Sequence, residues 1–210
     1  LLNEEFPDGV VNTVTGYGSE VGDHLVTSPD INKISFTGSI TTGMMISQKA
    51  GMKKVTLELG GNDPMIVFAD ADIDKAVKGV INGAFLNAGQ VCMGVKRIIV
   101  DNCIANEFVE KLVCETEKLV MGDPSDSKTT LGTLISEKAA IQVEETVNNA
   151  VNEGAKILTG GTRDGAFYEA TVIDNVTPEM DLVINETFGP VAPIIRVNDV
   201  DEAINVANDT

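Results

Sequence analysis

Between Met65 and Val100 the hydrophobic period changes twice, and that change constrains the fold more than any other feature of the chain. Met65 to Phe68 is a short apolar run of strand length; from Asp70 or Asp72 onward the pairs Ala76/Val77, Val80/Ile81 and Ala84/Phe85 recur every four residues; Ile98-Ile99-Val100 is a strand again. The four-residue recurrence puts those pairs on one stripe of a helix, with Val77, Val80, Ile81 and Ala84 turned inward. A helix between two strands is the signature of a parallel crossover. The expected class is therefore α/β, in three layers, with a mainly parallel sheet flanked by helices.

The rest of the chain repeats the alternation. Val10 to Val14 is β-branched and reads as a strand, Glu20 to Val26 as a short helix, and Ile34-Ser35-Phe36 as the next strand. Ile40 to Ala50 reads as a helix stopped by Gly51, and Lys54 to Leu57 as a strand. The helix from about Asp72 reaches Asn87 and is stopped by Gly89; another covers Ala105 to Val120 with Phe108, Val109, Leu112 and Val113 inward. Ser136 caps a helix running to about Asn152, with Gly154 as its stop, and Val200 to Ala207 is helical. Strands lie around Ile157 and Val172 and over Val191 to Val197, and the main organisational break falls near Gly60-Gly61.

Composition excludes several functions. No apolar run reaches the roughly 18 to 20 residues of a membrane span, and Leu1-Leu2-Asn3-Glu4-Glu5 lacks the basic-then-apolar layout of a signal peptide. The formal net charge of −17 repels phosphate backbones and anionic lipid, so neither nucleic acid nor membrane is an expected partner. Cys92, Cys103 and Cys114 are an odd number of cysteines with no close pair, beside the single histidine His24. No zinc site, other metal site or disulfide framework is expected, and a reducing compartment such as the cytoplasm is.

Four short stretches have the residue types that chemistry needs. In Thr56-Leu57-Glu58-Leu59-Gly60-Gly61 a carboxylate ends a strand; apolar surroundings would desolvate it toward general-base strength, although the residues by themselves favour a strand-end glutamate in solvent before an ordinary turn. In Asn87-Ala88-Gly89-Gln90-Val91-Cys92 a thiol follows a glycine-bearing turn: a nucleophile if positive charge or a base is near, a small buried hydrophobe otherwise. Asn185-Glu186-Thr187-Phe188-Gly189-Pro190 offers an acceptor for sugar hydroxyls and a face for a flat ring, or a structural corner. Phe36-Thr37-Gly38-Ser39 opens a helix toward Gly43, where free N–H groups suit a phosphate. Gly16-Tyr17-Gly18 with Gly22 imitates a dinucleotide fingerprint, but the acid expected about 20 residues on is replaced by Ser35-Phe36-Thr37-Gly38, so it is an ordinary turn.

Taken in order, Phe36-Thr37-Gly38-Ser39, Glu58-Leu59-Gly60-Gly61, Gly89-Gln90-Val91-Cys92 and Glu186-Thr187-Phe188-Gly189-Pro190 resemble the aldehyde dehydrogenase superfamily, as does the spacing of 34 positions from Glu58 to Cys92. The resemblance runs from Phe6 to Ile204, and since family members are about twice this length it implies a fragment. Residues 1–58 would be the end of a dinucleotide-binding domain and 59–210 most of a catalytic domain. By this resemblance Cys92 attacks the aldehyde, and Glu58 activates the water that hydrolyses the resulting thioester. Gly38, Ser39 and Gly43 would meet the pyrophosphate of NAD or NADP, with NAD favoured. Leu59 would offer its carbonyl to the nicotinamide amide, Glu186 would hold the nicotinamide ribose and Phe188 would bracket the ring. The resemblance also implies a homo-oligomer, and the run Cys92 to Arg97 leans toward short hydroxyaldehydes or semialdehydes such as lactaldehyde, glyceraldehyde phosphate or succinate semialdehyde. Asn62-Asp63-Pro64 departs from the commoner lysine after the paired glycines, which bears on substrate subgroup. Two other readings are an inactive structural fragment of such an enzyme and a thiol acyltransferase or hydrolase using Cys92.

Overall fold

The structure, a computed structural model, describes residues 5–210; Leu1 to Glu4, most of the stretch weighed as a leader, lie outside them. The chain divides into two compact units, Leu1–Gly60 and Gly61–Thr210.

In the first unit a π-helical turn, Gly18–Gly22, runs into helix α1, Asp23–Thr27, which carries the exposed His24. Strand β1, Lys33–Thr37, is followed by helix α2, Ile40–Lys49, and strand β2, Lys54–Glu58. The two strands pair in parallel, with Thr37 beside Glu58. Gly51, with φ +61°, stands just past the helix as expected. The strand expected over Val10 to Val14 does not form. Those residues are irregular and Val10 and Val14 exposed, because β-branched side chains favour a strand only where a neighbour completes the ladder and covers a face. Asn12 Nδ2 donates to the Gly9 carbonyl at 2.8 Å, a local bond that competes with extended pairing.

The second unit opens with β3, Asp63–Val67, followed by α3, Ile73–Phe85, and β4, Val95–Asp101. Asp72 caps α3, its side chain accepting from Lys75 N at 3.1 Å. Val77, Val80 and Ala84 are buried as the stripe requires, and Ile81 is half-buried at its edge. The helix ends at Phe85, short of the expected Asn87, and a 3-10 turn over Leu86–Gly89 follows. Helix α4, Asn102–Thr116, buries Phe108, Val109 and Leu112 with Val113 packed at their margin, and stops four residues before Val120. Helix α5, Glu137–Asn152, is capped by Ser136 as predicted. Then come β5, Lys156–Thr159; a small hairpin of β6, Arg163–Asp164, and β7, Phe167–Tyr168; and β8, Thr171–Asp174. The short helix α6, Asp181–Ile184, precedes β9, Val191–Val197, and α7, Val200–Asn208. The hairpin and α6 are too short to leave a period in the sequence.

The main sheet has the order β3-β4-β9-β8-β5, parallel except for β5 against β8. Alternate residues of its central strands point to opposite sides. Ile98, Val100, Ala192, Ile194 and Val172 join α3 and α4 in one core; Ile99, Ile195, Val197 and Ile173 join α5, α6 and α7 in the other. Three layers follow from that alternation, as the strand-helix pattern predicts.

Candidate active site

Within the first unit, Gly38, Ser39, Gly43, Glu58 and Leu59 gather around the start of α2. The Gly38 N–H donates to the Glu58 carbonyl at 3.0 Å, joining the turn after β1 to the end of β2. Ser39 caps α2, its hydroxyl accepting from Thr42 N at 3.3 Å, and the first turn of that ten-residue helix carries no acidic side chain. Such an end presents free N–H groups and the positive pole of the helix. A Cβ at Gly43 would lie 2.5 Å from Leu59 Cδ2, so the glycine is what lets Leu59 seat on the helix. A cavity of about 560 Å³ adjoins this end, walled by Val26, Ile34, Phe36, Thr42 and Ile46 among others. Glu58 is exposed at the end of β2, so the desolvating apolar setting expected of it is not formed in this chain.

In the second unit, Cys92, Glu186 and Phe188 are brought together by the contact of two loops. After α3 the backbone enters the left-handed region at Asn87 (φ 51°), Ala88 (φ 54°) and Gly89 (φ 73°) in succession. A non-glycine residue there costs on the order of 1 kcal/mol, and Ala88 is buried, so packing holds the turn in place. Gln90 serves as an internal brace: its amide nitrogen donates to Asn87 O at 3.0 Å and Thr133 O at 3.3 Å, while its amide oxygen accepts from Ile135 N at 2.8 Å. Asn87 Nδ2 closes the ring by donating to Gln90 O at 3.2 Å. Gly89 lies so close to the Gly189 carbonyl that no Cβ could be added between them. A Cβ at Gly61 would likewise clash with the Cys92 carbonyl.

The Cys92 side chain is exposed beyond this braced turn, and among the described residues its N–H donates no backbone hydrogen bond. Phe188 is 46% exposed. Glu186 is half-buried, with Oε1 out of contact with solvent and without a hydrogen-bond partner among the described residues. A second cavity of about 560 Å³ lies between α5 and this segment, lined by Gln90, Gln142, Thr146, Asp181, Glu186 and Phe188 among others.

Sequence reasoning passed over Lys96. It is 5% exposed on β4; its Nζ donates to the Gly89 carbonyl at 2.6 Å and stands 5.1 Å from the centre of the Phe188 ring. Burial pulls the Lys96 pKa down, and the charges of Glu186, Asp63 and Cys92 oppose that shift. Its neighbour Arg97, fully buried, faces the other way: Nε donates to Asn62 O at 2.9 Å, and the two terminal nitrogens to Val206 O and Ala207 O at 2.7 and 2.9 Å. The signal was two adjacent cations inside the apolar run Val95 to Val100, a placement charged groups take only when paired.

Burial does not separate the three thiols. Cys103 and Cys114 lie in α4 but on its outer face, and both are exposed. What distinguishes Cys103 is the Asp101 carboxylate, which raises its thiol pKa. Among the described residues no cluster of three or more His, Cys, Asp or Glu side chains could hold a metal ion, and no helix is long and apolar enough to cross a membrane.

An accessible thiol on a braced turn, held against a loop bearing a carboxylate and an aromatic ring, is an arrangement open to nucleophilic chemistry. The family model "Aldehyde dehydrogenase family" matches residues 1–210, and the chain belongs to that family. It is 45% identical over 210 residues to a lactaldehyde dehydrogenase of Methanococcus aeolicus, covering 100% of this chain and 45% of the relative. A solved glyceraldehyde-3-phosphate dehydrogenase of Methanocaldococcus jannaschii, complexed with NADP, superposes with a TM-score of 0.92 at 48% identity over 95% of this chain and 43% of its own. A betaine aldehyde dehydrogenase of Staphylococcus aureus in complex with NAD+ gives 0.94 at 39% identity over 99% and 44%. The chain thus spans a little under half the length of these relatives.

Proposed function

We propose that this chain carries the reacting side chains of an NAD(P)-dependent aldehyde dehydrogenase acting on a short hydroxyaldehyde, with residues 1–58 contributing to cofactor binding and 59–210 to catalysis. The observation that carries the reading is the exposed Cys92 on a turn locked against the Glu186–Phe188 loop, in a chain of this family. Hydroxyaldehydes are named for the relatives from Methanococcus and Methanocaldococcus, which supports that substrate class.

The residues present fit a nicotinamide dinucleotide. The open end of α2 at Gly38 and Ser39 suits a pyrophosphate, Gly43 keeps room there for Leu59, and the apolar cavity beside it suits a flat base. Glu186 has a buried acceptor with no partner among the described residues, as a carboxylate that takes a ribose hydroxyl would, and Phe188 offers an exposed ring face. Leu59 would present its carbonyl to the nicotinamide amide. When bound, the nicotinamide supplies a hydride acceptor for the oxidation.

The protein's own part is nucleophilic. Cys92 Sγ adds to the aldehyde carbon, forming a thiohemiacetal whose oxygen would accept from the Cys92 N–H, which donates no backbone hydrogen bond among the described residues; one such donor is worth about 3 to 4 kcal/mol of barrier. Loss of hydride leaves a thioester on Cys92. Glu58 then takes a proton from the water that hydrolyses it, releasing the acid and the thiol. The same reading includes a homo-oligomer in a reducing compartment such as the cytoplasm, in keeping with three unpaired thiols. The test is a panel of short aldehydes with NAD and with NADP on the full-length enzyme and on Cys92→Ser. Reduced cofactor should appear with a hydroxyaldehyde in the first and not in the second; undiminished turnover by Cys92→Ser would remove the thiol from the mechanism.

A further inference from the structure

We propose that Lys96 is a positioning residue that makes the Cys92 turn and the Phe188 loop a single unit, so that one buried ammonium sets both the nucleophile and the residue that faces the cofactor. This rests on the reading of Cys92 and Phe188 given above.

Three observations meet at this side chain. First, Lys96 is buried, so its charge is kept only because it has partners, and its direct partners belong to the two loops: the Gly89 carbonyl at 2.6 Å and the Phe188 ring at 5.1 Å. A hydrogen bond from an ammonium and a desolvated cation over a ring are each stronger than their neutral or exposed counterparts. Second, the two loops touch at Gly89 and Gly189 with no space for a side chain, so a shift of either displaces the other. Third, the turn that Lys96 grips is the left-handed run Asn87 to Gly89, a conformation that needs outside support. Gln90 braces that turn from the Thr133–Ile135 side, and Lys96 is what braces it from the sheet.

The experiment compares Lys96→Met, which keeps the length and removes charge and donor, with Lys96→Arg, which keeps both, in the full-length enzyme. Cofactor affinity is read by calorimetry without aldehyde, Cys92 alkylation by iodoacetamide at pH 7 is read by mass spectrometry, and folding is read by melting temperature. Lys96→Met should weaken cofactor binding about tenfold and slow Cys92 alkylation several-fold, while Lys96→Arg should recover most of both. Cofactor affinity within twofold of the parent in folded Lys96→Met would overturn the proposal, leaving Lys96 a packing residue. Should Lys96→Met not fold, Phe188→Leu decides: it removes the ring and leaves the bond to Gly89, and it should change the Cys92 alkylation rate of cofactor-free enzyme by threefold or more. An unchanged rate there also overturns the proposal. Because the parent's dependence on Cys92 is measured separately with Cys92→Ser, failure of the Lys96 role and failure of the dehydrogenase reading give different results.

Discussion

Gly89→Ala should do more damage than any other single-methyl addition in the second unit that also leaves every polar group intact. The new Cβ would fall far inside van der Waals contact with the Gly189 carbonyl and 2.8 Å from Pro190 N, all of it backbone that no rotamer change can move. Forcing atoms into a packed site costs about 1 to 3 kcal/mol. The backbone adds its own term, since φ is +73° and a residue with a Cβ in the left-handed region costs roughly 1 to 2 kcal/mol more. The total is on the order of 2 to 5 kcal/mol. Gly165→Ala isolates the two terms: its φ is +58° and nothing lies within 4 Å of the added atom, so only the backbone cost of about 1 to 2 kcal/mol applies. Urea unfolding of the full-length parent and both variants, with midpoints compared at equal slope, gives the difference. Gly89→Ala should also change the rate of Cys92 alkylation, because the displaced turn leads directly to the thiol, whereas Gly165→Ala should not. If the two variants lose the same stability to within about 0.5 kcal/mol, the close approach of the two loops is not part of the native structure.

The remaining expectations concern proton chemistry. Glu58→Gln in the full-length enzyme should slow steady turnover strongly while a burst of reduced cofactor, up to about one equivalent per site, still appears in stopped-flow absorbance; near-normal turnover would remove the base assignment and leave Cys92 untouched. Asp101→Asn should lower the raised Cys103 thiol pKa and speed its alkylation at pH 8, and an unchanged Cys103 rate would show that the carboxylate does not act on it. Tyr168 is buried, its hydroxyl has no hydrogen-bond partner among the described residues, and burial, opposed by the nearby Thr171 hydroxyl, pushes its pKa up to about 12 from an ordinary value near 10. Its folded pKa exceeds the unfolded one, so its contribution to stability is complete below pH 10 and is lost as the pH rises through about 12. Tyr168→Phe should flatten that part of a stability profile, and a profile identical to the parent's would count against the burial.

Elements with a long period and a cap were readable before any coordinates. The helix over 137–152 declares itself through Ser136, its buried stripe and Gly154, and β9 through the apolar run Val191 to Ile195. Ends were less readable: the helix after Asp72 continues its pattern through Phe85, and only the tertiary contact with the Gly189 loop shows why the chain turns left-handed at Asn87 rather than going on to Gly89. Val10 to Val14 shows the opposite failure, where local preference exists without a strand to pair with. The exposure of Cys103 and Cys114 depends on which side of α4 meets the core, and a period offset by one position reverses it. Of the residues named by motif, the structure gathers Gly38, Ser39, Gly43, Glu58 and Leu59 at the start of α2, and it holds the turn before Cys92 against the loop of Glu186 and Phe188. Lys96 was not legible in the sequence, because its value lies in two partners, Gly89 and Phe188, that are 7 and 92 positions away in opposite directions along the chain.

Lys96 and Arg97 are consecutive on one strand and point through opposite faces of the sheet, one to the thiol turn and the other to the last carbonyls of α7. What assigns each cation to its side is the alternation of Ile98, Ile99 and Val100 between the two cores, together with the pairing of β4 against β3, whose register shifts between Asp63 and Pro64. A slip of one residue would carry every side chain of β4 through the sheet, putting a guanidinium under the Cys92 turn and an ammonium at the helix end. The greasy centre of this strand therefore acts as the ruler for the two cations at its start. A substitution at Ile98 or Ile99, which touches neither loop, would reach the Cys92 turn as an error of indexing rather than of contact.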